Sequence, residues 1–258
     1  MPPFEEQLSD YDRGFLRAVA ERDNLAPVVA RLREERDNKL TEPLSWRRGR
    51  RVFVNSMSDL FHEALTDAEI DRVLAVMAMC PQHTFQVLTK RAERMRKYLC
   101  AADRPAKIQE AYWSLPGAYN WRATWPLENV WLGVSGETGA LANARGLVLL
   151  DVPAEVKFVS YEPALGPWEM DARLQLGLDW VIVGGESGPG ARYFCLEWAR
   201  EVVEQCDRFD IACFVKQLGA RPCDEGKQLK LVDPKGGDMN EWPVELRVRQ
   251  FPKELVVA

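Results

Sequence analysis

Six short, almost wholly apolar runs recur along the chain: Val52 to Val54, Thr84 to Leu88, Val130 to Val134, Val156 to Val159, Trp180 to Val183 and Ala212 to Val215. Runs of this kind, apolar on both sides of the pleat, are strands buried on both faces, as in a parallel sheet covered by helices. Their starts lie 32, 46, 26, 24 and 32 residues apart, near the ~30 residues of a strand–helix–strand unit. Six such repeats predict an α/β fold: an incomplete parallel (β/α) barrel of about six strands, with no strand pattern before Val52 to close it.

The intervening segments carry helix signals. Thr66-Asp-Ala-Glu69 has the form of a capping box, in which the Thr hydroxyl and the Glu carboxylate satisfy free backbone N–H groups at a helix start. Behind it Ile70, Val73, Leu74 and Met77 recur at helical spacing and Pro81 follows the end. Leu196, Ala199, Val202, Val203 and Cys206 form a second apolar face, on which Cys206 reads as a core residue. Between Cys100 and Asn129, five aromatic residues (Tyr112, Trp113, Tyr119, Trp121, Trp125) and three prolines make a connection too long for a plain loop, which predicts a lid or flap. The expected organisation is a helical segment over 1–45, a partial barrel over 46–219 with the aromatic insertion at 101–128, and a loop-rich tail over 220–258, turning at Pro234-Lys-Gly-Gly237 and packed on the barrel.

The 258 residues, 47% of them hydrophobic, carry 34 Lys+Arg against 39 Asp+Glu, a net charge of −5, which excludes collagen-like, disordered and disulfide-dense classes. No apolar run approaches the ~20 residues that span a bilayer, so no membrane association is expected. The acidic start MPPFEEQLSDYDR lacks the basic region and apolar stretch of a secretory signal, which predicts a cytoplasmic protein. Its six cysteines are then expected as reduced thiols. Mild acidity argues against bulk nucleic-acid affinity, while a local basic patch stays open.

In parallel α/β folds ligands bind at the carboxyl ends of the strands, where loops converge. Polar residues concentrate there: Asn55, Ser56, Asp59 and His62 after the first run, Lys90 and Arg91 after the second, Glu137 after the third, Glu162 after the fourth, Gly184, Gly185, Glu186 and Ser187 after the fifth, and Lys216 after the sixth. Taken singly, Asp59 reads equally as turn chemistry and Lys90-Arg91 as a solvated pair. Glu162 and Glu186 lie on no amphipathic face and closely follow buried strands, which favours function. His83 reads as structural; His62 stays open. The run Gly184 to Gly190 fits neither a P-loop nor a dinucleotide fingerprint. It reads as flexible backbone able to approach a ligand beside Glu186, which can accept from an amino or ribose group, or else as a tight turn with a solvated Glu. There is no H-E-x-x-H, G-x-S-x-G or C-x-x-C, and Cys195, Cys206, Cys213 and Cys223 lie 11, 7 and 10 residues apart, which is no recognised zinc spacing. No metal ligand is expected and no catalytic residue is assigned. The partners expected are a small-molecule or nucleoside ligand and a protein partner.

The segments RRVFVNSMSDLFHEAL, HTFQVLTKRAERM, NVWLGVSGET, VKFVSYEPALGP, LDWVIVGGESGPGAR and FVKQLGA resemble, in order, the blocks of a phage and prophage protein family of unknown function marked by a three-cysteine motif. The similarity spans about Leu40 to Pro252. That family looks like a divergent radical-SAM barrel, and the resemblance implies a [4Fe–4S] cluster on an N-terminal cysteine loop and S-adenosylmethionine as cofactors. Gly184, Gly185 and Glu186 match a glycine-glycine-glutamate element that contacts the methionyl amino group in such enzymes. Relatives carry the three cysteines before the first block, whereas residues 1–79 here hold none. Thiolates are what hold such a cluster, so no cofactor of that kind is expected in this chain. It reads as a cluster-free member or as a truncated product of a full radical-SAM enzyme. The function expected is therefore a radical-SAM-like barrel that has lost its cluster and keeps an adenosylmethionine- or nucleoside-binding mouth. The alternatives are a non-catalytic interaction protein of phage or defence context, with the aromatic insertion serving the partner, and a cluster-independent enzyme using Glu162, Glu186 and Lys216 for acid–base work.

Overall fold

The computed structural model describes residues 39–54 and 58–252. Most of the expected N-terminal helical segment, residues 1–38, lies outside that range; residues 39–41 are helical and lead into a 3-10 turn at Glu42–Ser45. The six apolar runs become one sheet of six parallel strands in the order β1 (Arg51–Val54), β2 (Thr84–Thr89), β3 (Val130–Ser135), β4 (Val156–Tyr161), β5 (Trp180–Val183) and β7 (Ala212–Val215). The sheet curls into an incomplete barrel, as the strand rhythm predicts. Helices α1 (Asp67–Met79), α2 (Ala92–Leu99), α3 (Arg104–Trp113), α4 (Gly139–Leu150), α5 (Ala172–Gly177) and α6 (Leu196–Arg208) lie between the strands. A small second sheet joins β6 (Phe194–Cys195), β8 (Pro222–Asp224) and β9 (Lys227–Gln228).

The α1 start forms as its sequence dictates: the Thr66 hydroxyl accepts from Glu69 N–H at 3.3 Å and Glu69 accepts from Thr66 N–H at 2.9 Å. Its buried face also carries Asp71, whose charge is met by Tyr98 Oη at 2.5 Å and Arg104 at 2.7 Å, with the guanidinium over the Tyr98 ring at 4.0 Å. This buried trio fixes α3 against α1. At the far end of α1, Asn129 donates to the carbonyls of Met77, Cys80 and His83, which ties the strand entry of β3 to the helix terminus. His83 is structural, accepting from Arg50 N–H at 3.2 Å.

These ties decide where the aromatic insertion lies, and it is not a lid on the mouth. Tyr112, Tyr119, Arg122 and Leu127 line a cavity of about 500 Å³ together with Thr84 and Val156, the first residues of β2 and β4. The flap therefore sits at the amino ends of the strands.

Strand alternation gives the sheet two faces. On the outer face Val87, Leu132, Val159, Val181 and Val215 pack in the helix-covered core. On the inner face Trp131, Phe158, Trp180 and Ile182 form a separate cluster joined by Leu88, Phe214 and Phe251. Trp180 is its hub, with ring centroids of Trp131 at 5.8 Å, Phe158 at 5.3 Å, Phe214 at 6.1 Å and Phe251 at 5.4 Å. Gly133 is the register partner of Phe158, and a β-carbon there would stand only 2.3 Å from the Phe158 ring. The C-terminal segment runs along the β7 edge, with Val215 N–H to Val248 O and Gln250 N–H to Cys213 O, each 2.8 Å. It thereby satisfies an edge that would otherwise offer free backbone groups, and brings Phe251 under the Arg51 guanidinium of β1 at 3.8 Å.

Two stability outcomes follow. Gly133→Ala overpacks a ring that has no space to retreat into and is expected to destabilise by about 1–3 kcal/mol in urea unfolding. Arg104→Leu strands the buried Asp71 carboxylate and is expected to cost about 3–5 kcal/mol. An Arg104→Leu protein that melts with the parent would show that the trio does not hold α3 in place.

Candidate functional site

The inner-face alternation does not stop where the strands end. Residues 86, 88 and 90 along and just past β2, 131, 133, 135 and 137 along β3, 156, 158, 160 and 162 along β4, 180, 182 and 184 along β5, and 212, 214 and 216 along β7 share one parity. Lys90, Glu137, Glu162, Gly184 and Lys216 thus extend the inner face beyond the sheet. Below them lie the buried hydroxyl residues Ser135 and Ser160, opposite one another in register, and below these the aromatic layer. The concavity is graded from apolar at its floor to charged at its rim.

The rim charges pair across strands. Lys90 bonds Glu137, whose other oxygen accepts from Arg145 at 3.2 Å, and Arg145 also donates to the Ser135 carbonyl at 2.6 Å. Partial burial alone would raise the Glu137 carboxyl, but the hydrogen bond and charge of Lys90, with Arg145 beside it, outweigh this and hold it below the usual carboxylate range. Lys216 donates to Glu162 at 3.1 Å, passing over β5, and Ser160 Oγ donates to the same oxygen at 3.2 Å. This reach depends on Gly184, where a β-carbon would stand 2.7 Å from the Glu162 carboxylate. Gly185 answers to a different constraint: a β-carbon there would strike the Leu218 carbonyl, so the close approach it permits is to the chain's own backbone.

Two further pairs flank these. Asp59 accepts from Thr89 Oγ1 at 2.7 Å, from Phe61 N–H at 2.9 Å and from Arg91 at 2.9 Å; Arg91 also reaches Glu63 at 2.8 Å. Glu186 is clamped by two guanidinium nitrogens of Arg192, Nε and Nη2, each at 2.9 Å. Those bonds, then the Arg192 backbone N–H, pull its carboxyl down to about 2. The Glu137 charge also acts on Arg192, so this pair belongs to the same field. Ser187 is exposed in the loop, His62 bonds only locally to Ala64 N–H, and Asn55 and Ser56 lie outside the described residues. Carboxylates and cations balance: Asp59, Glu63, Glu137, Glu162 and Glu186 against Lys90, Arg91, Arg145, Arg192 and Lys216.

Sequence reasoning does not find Arg145, Arg192 or Glu63. Arg145 had a signal, as the sole charged residue in the otherwise apolar and small helix GALANARGLVLL. Arg192 had a weaker one, as the first charged residue after the glycine loop.

The cysteines test the implied cluster directly, because all six lie among the described residues. Cys80 is buried at the end of α1, Cys100 donates to the Asp151 carbonyl, Cys206 and Cys213 pack between helix and sheet, and Cys195 and Cys223 face each other in the small sheet. No three thiols gather on one loop at the mouth, so the donor set does not fit a three-thiolate [4Fe–4S] cradle. Among the described residues no group of three or more His, Cys, Asp or Glu is placed to hold a metal ion. No helix among them is long and apolar enough to cross a membrane.

No curated protein and no solved structure matches the chain. A protein-family model matches residues 13–243, from before the first described strand to beyond the small second sheet. The chain therefore belongs to the family described as Protein of unknown function (DUF5131).

Proposed function

We propose that the mouth binds a small cationic ligand bearing a nucleoside, of the adenosylmethionine type, in a radical-SAM-like barrel that works without an iron–sulfur cluster. The phage or prophage setting rests on the same block resemblance.

One observation carries this reading: at the rim the acids are fixed and the bases are loose. Glu137 and Glu162 are only 16% and 15% exposed and are held from behind by Arg145 and Ser160, whereas Lys90 and Lys216, which cover them, are each 57% exposed. An exposed ion pair contributes about 0–1 kcal/mol, so lifting a lysine away costs little. An ammonium or sulfonium can then take its place on a carboxylate that is already oriented and already charged. The displaced lysines remain within reach of a ligand carboxylate. Phe53, on the inner face at the open strand edge and 44% exposed, offers a ring for a base.

Calorimetry with adenosylmethionine, adenosylhomocysteine, adenosine and methionine tests the reading. Adenosylmethionine is expected to bind more tightly than adenosylhomocysteine, which lacks the sulfonium charge. Glu162→Gln removes a charge-assisted bond of about 1.5–3 kcal/mol and is expected to weaken binding roughly tenfold to a hundredfold. Lys216→Met and Glu186→Gln are expected to shift the melting temperature by only a few degrees, because neither lies in packed core. If none of the four compounds gives heat or a melting shift in reducing buffer, the binding reading fails. The exposed Trp113 and Tyr119 of the insertion, 52% and 82% accessible, would then favour a protein-binding module instead.

A further inference from the structure

Outside the mouth, one pair of reactive groups is brought together with no part in the ionic network. Cys195 ends β6 and Cys223 lies in β8, directly opposite in a parallel pairing, with their sulfurs 2.8 Å apart. Neighbouring strands lie ~4.8 Å apart, within the range of Cα separations that a disulfide spans. The alignment is braced from outside the pair. Arg200 of α6 clamps both oxygens of Asp224 at 2.5 and 2.9 Å, and Glu197 accepts from Glu225 N–H at 2.6 Å, so the first turns of α6 hold β8 beside β6.

Access separates this pair from the other cysteines. Cys206 and Cys213 are also neighbours, but both are buried between α6 and the sheet. Cys80 is fully buried, and Cys100 is exposed without a thiol partner. Cys195 is partly exposed, and its partner Cys223 lies just beneath it.

We propose that Cys195 and Cys223 form a reversible dithiol–disulfide modification site that a small disulfide of the oxidised-glutathione class oxidises. The Cys195 thiolate attacks one sulfur of the oxidant, whose S–S bond breaks and releases one glutathione thiolate. Cys223 gives its proton to solvent and attacks the Cys195 sulfur, expelling the second glutathione. Two protein thiols lose two electrons and two protons, and one glutathione disulfide becomes two glutathiones. Burial, then the hydrogen bond with Cys195, pushes the Cys223 thiol up to about 12, which keeps it protonated and leaves the first attack to the more accessible Cys195; Cys223 follows because it already lies against the Cys195 sulfur. The bond would anchor β6, and with it the exit of the loop that carries Glu186 and Arg192, to β8.

The test is a thiol count and a non-reducing peptide map of the native chain after exposure to oxidised glutathione. Expected are a fall from six free thiols to four, a linked peptide pair holding Cys195 and Cys223, and full reversal by dithiothreitol. In Cys223→Ser, Cys195 should stop at the glutathione mixed disulfide; in Cys195→Ser, Cys223 should stay reduced. Six free thiols after exposure, a linkage through Cys80, Cys100, Cys206 or Cys213, or a mixed disulfide that persists on Cys195 in the unmutated chain would each overturn the assignment. The peptide map of the unmutated chain decides the matter even if a variant fails to fold.

Discussion

Trp180 touches aromatic rings from β3, β4, β7 and the C-terminal segment at once, and its indole N–H donates to the Gln250 carbonyl at 3.0 Å. A half-barrel with nothing inside it would expose a trough of apolar side chains to water. Here the trough is filled by side chains that also set how tightly the sheet curls, because rings packed at van der Waals contact resist both flattening and closing. Gly133 is the concession this filling requires. With the floor occupied, only the upper part of the concavity remains open, and the alternation that puts rings at the floor puts charges at the rim.

That rim is organised by solvent access more than by the strength of its pairs. Every acid in the two central pairs lies deeper than the lysine above it, and a buried carboxylate must be hydrogen-bonded to remain charged. Arg145 and Ser160 do that from beneath, leaving the lysines as covers rather than foundations. Glu186 differs in kind: Arg192 satisfies both of its oxygens, so of the three glutamates it offers a ligand the least. A glycine-glycine-glutamate string that reads as a ligand contact is, in this geometry, a loop closed on itself by its own arginine.

The six strands, the α1 cap and the α6 face were legible in the sequence because each is set by local chemistry: apolar runs, a capping box, a helical period. The small sheet was not, since strands of two or three residues such as Phe194–Cys195 carry no period to detect. The insertion's composition announced a separate element but not its place, which Asp71, Arg104 and Asn129 decide through contacts distant in sequence. Within the mouth the residues that follow strands could be read off, and so, by parity, could their direction. Their partners could not, because Arg145 lies in mid-helix and the Glu162–Lys216 pair passes over an intervening strand, a relation that only the three-dimensional curl creates.

Between β1 and β7 the barrel is joined by something other than a hydrogen-bonded ladder. Phe251 lies between the Arg51 guanidinium on one side and Phe214 on the other, whose ring centroid is 5.3 Å away. A cation held over a ring contributes about 0.5–2 kcal/mol, and it can slide without breaking any backbone bond. The seam is therefore closed by side chains, whereas the other junctions of the six-stranded wall are ladders of backbone bonds. A barrel closed by eight strands has no such line; here the two ends of the curl are held together by a guanidinium and an aromatic ring.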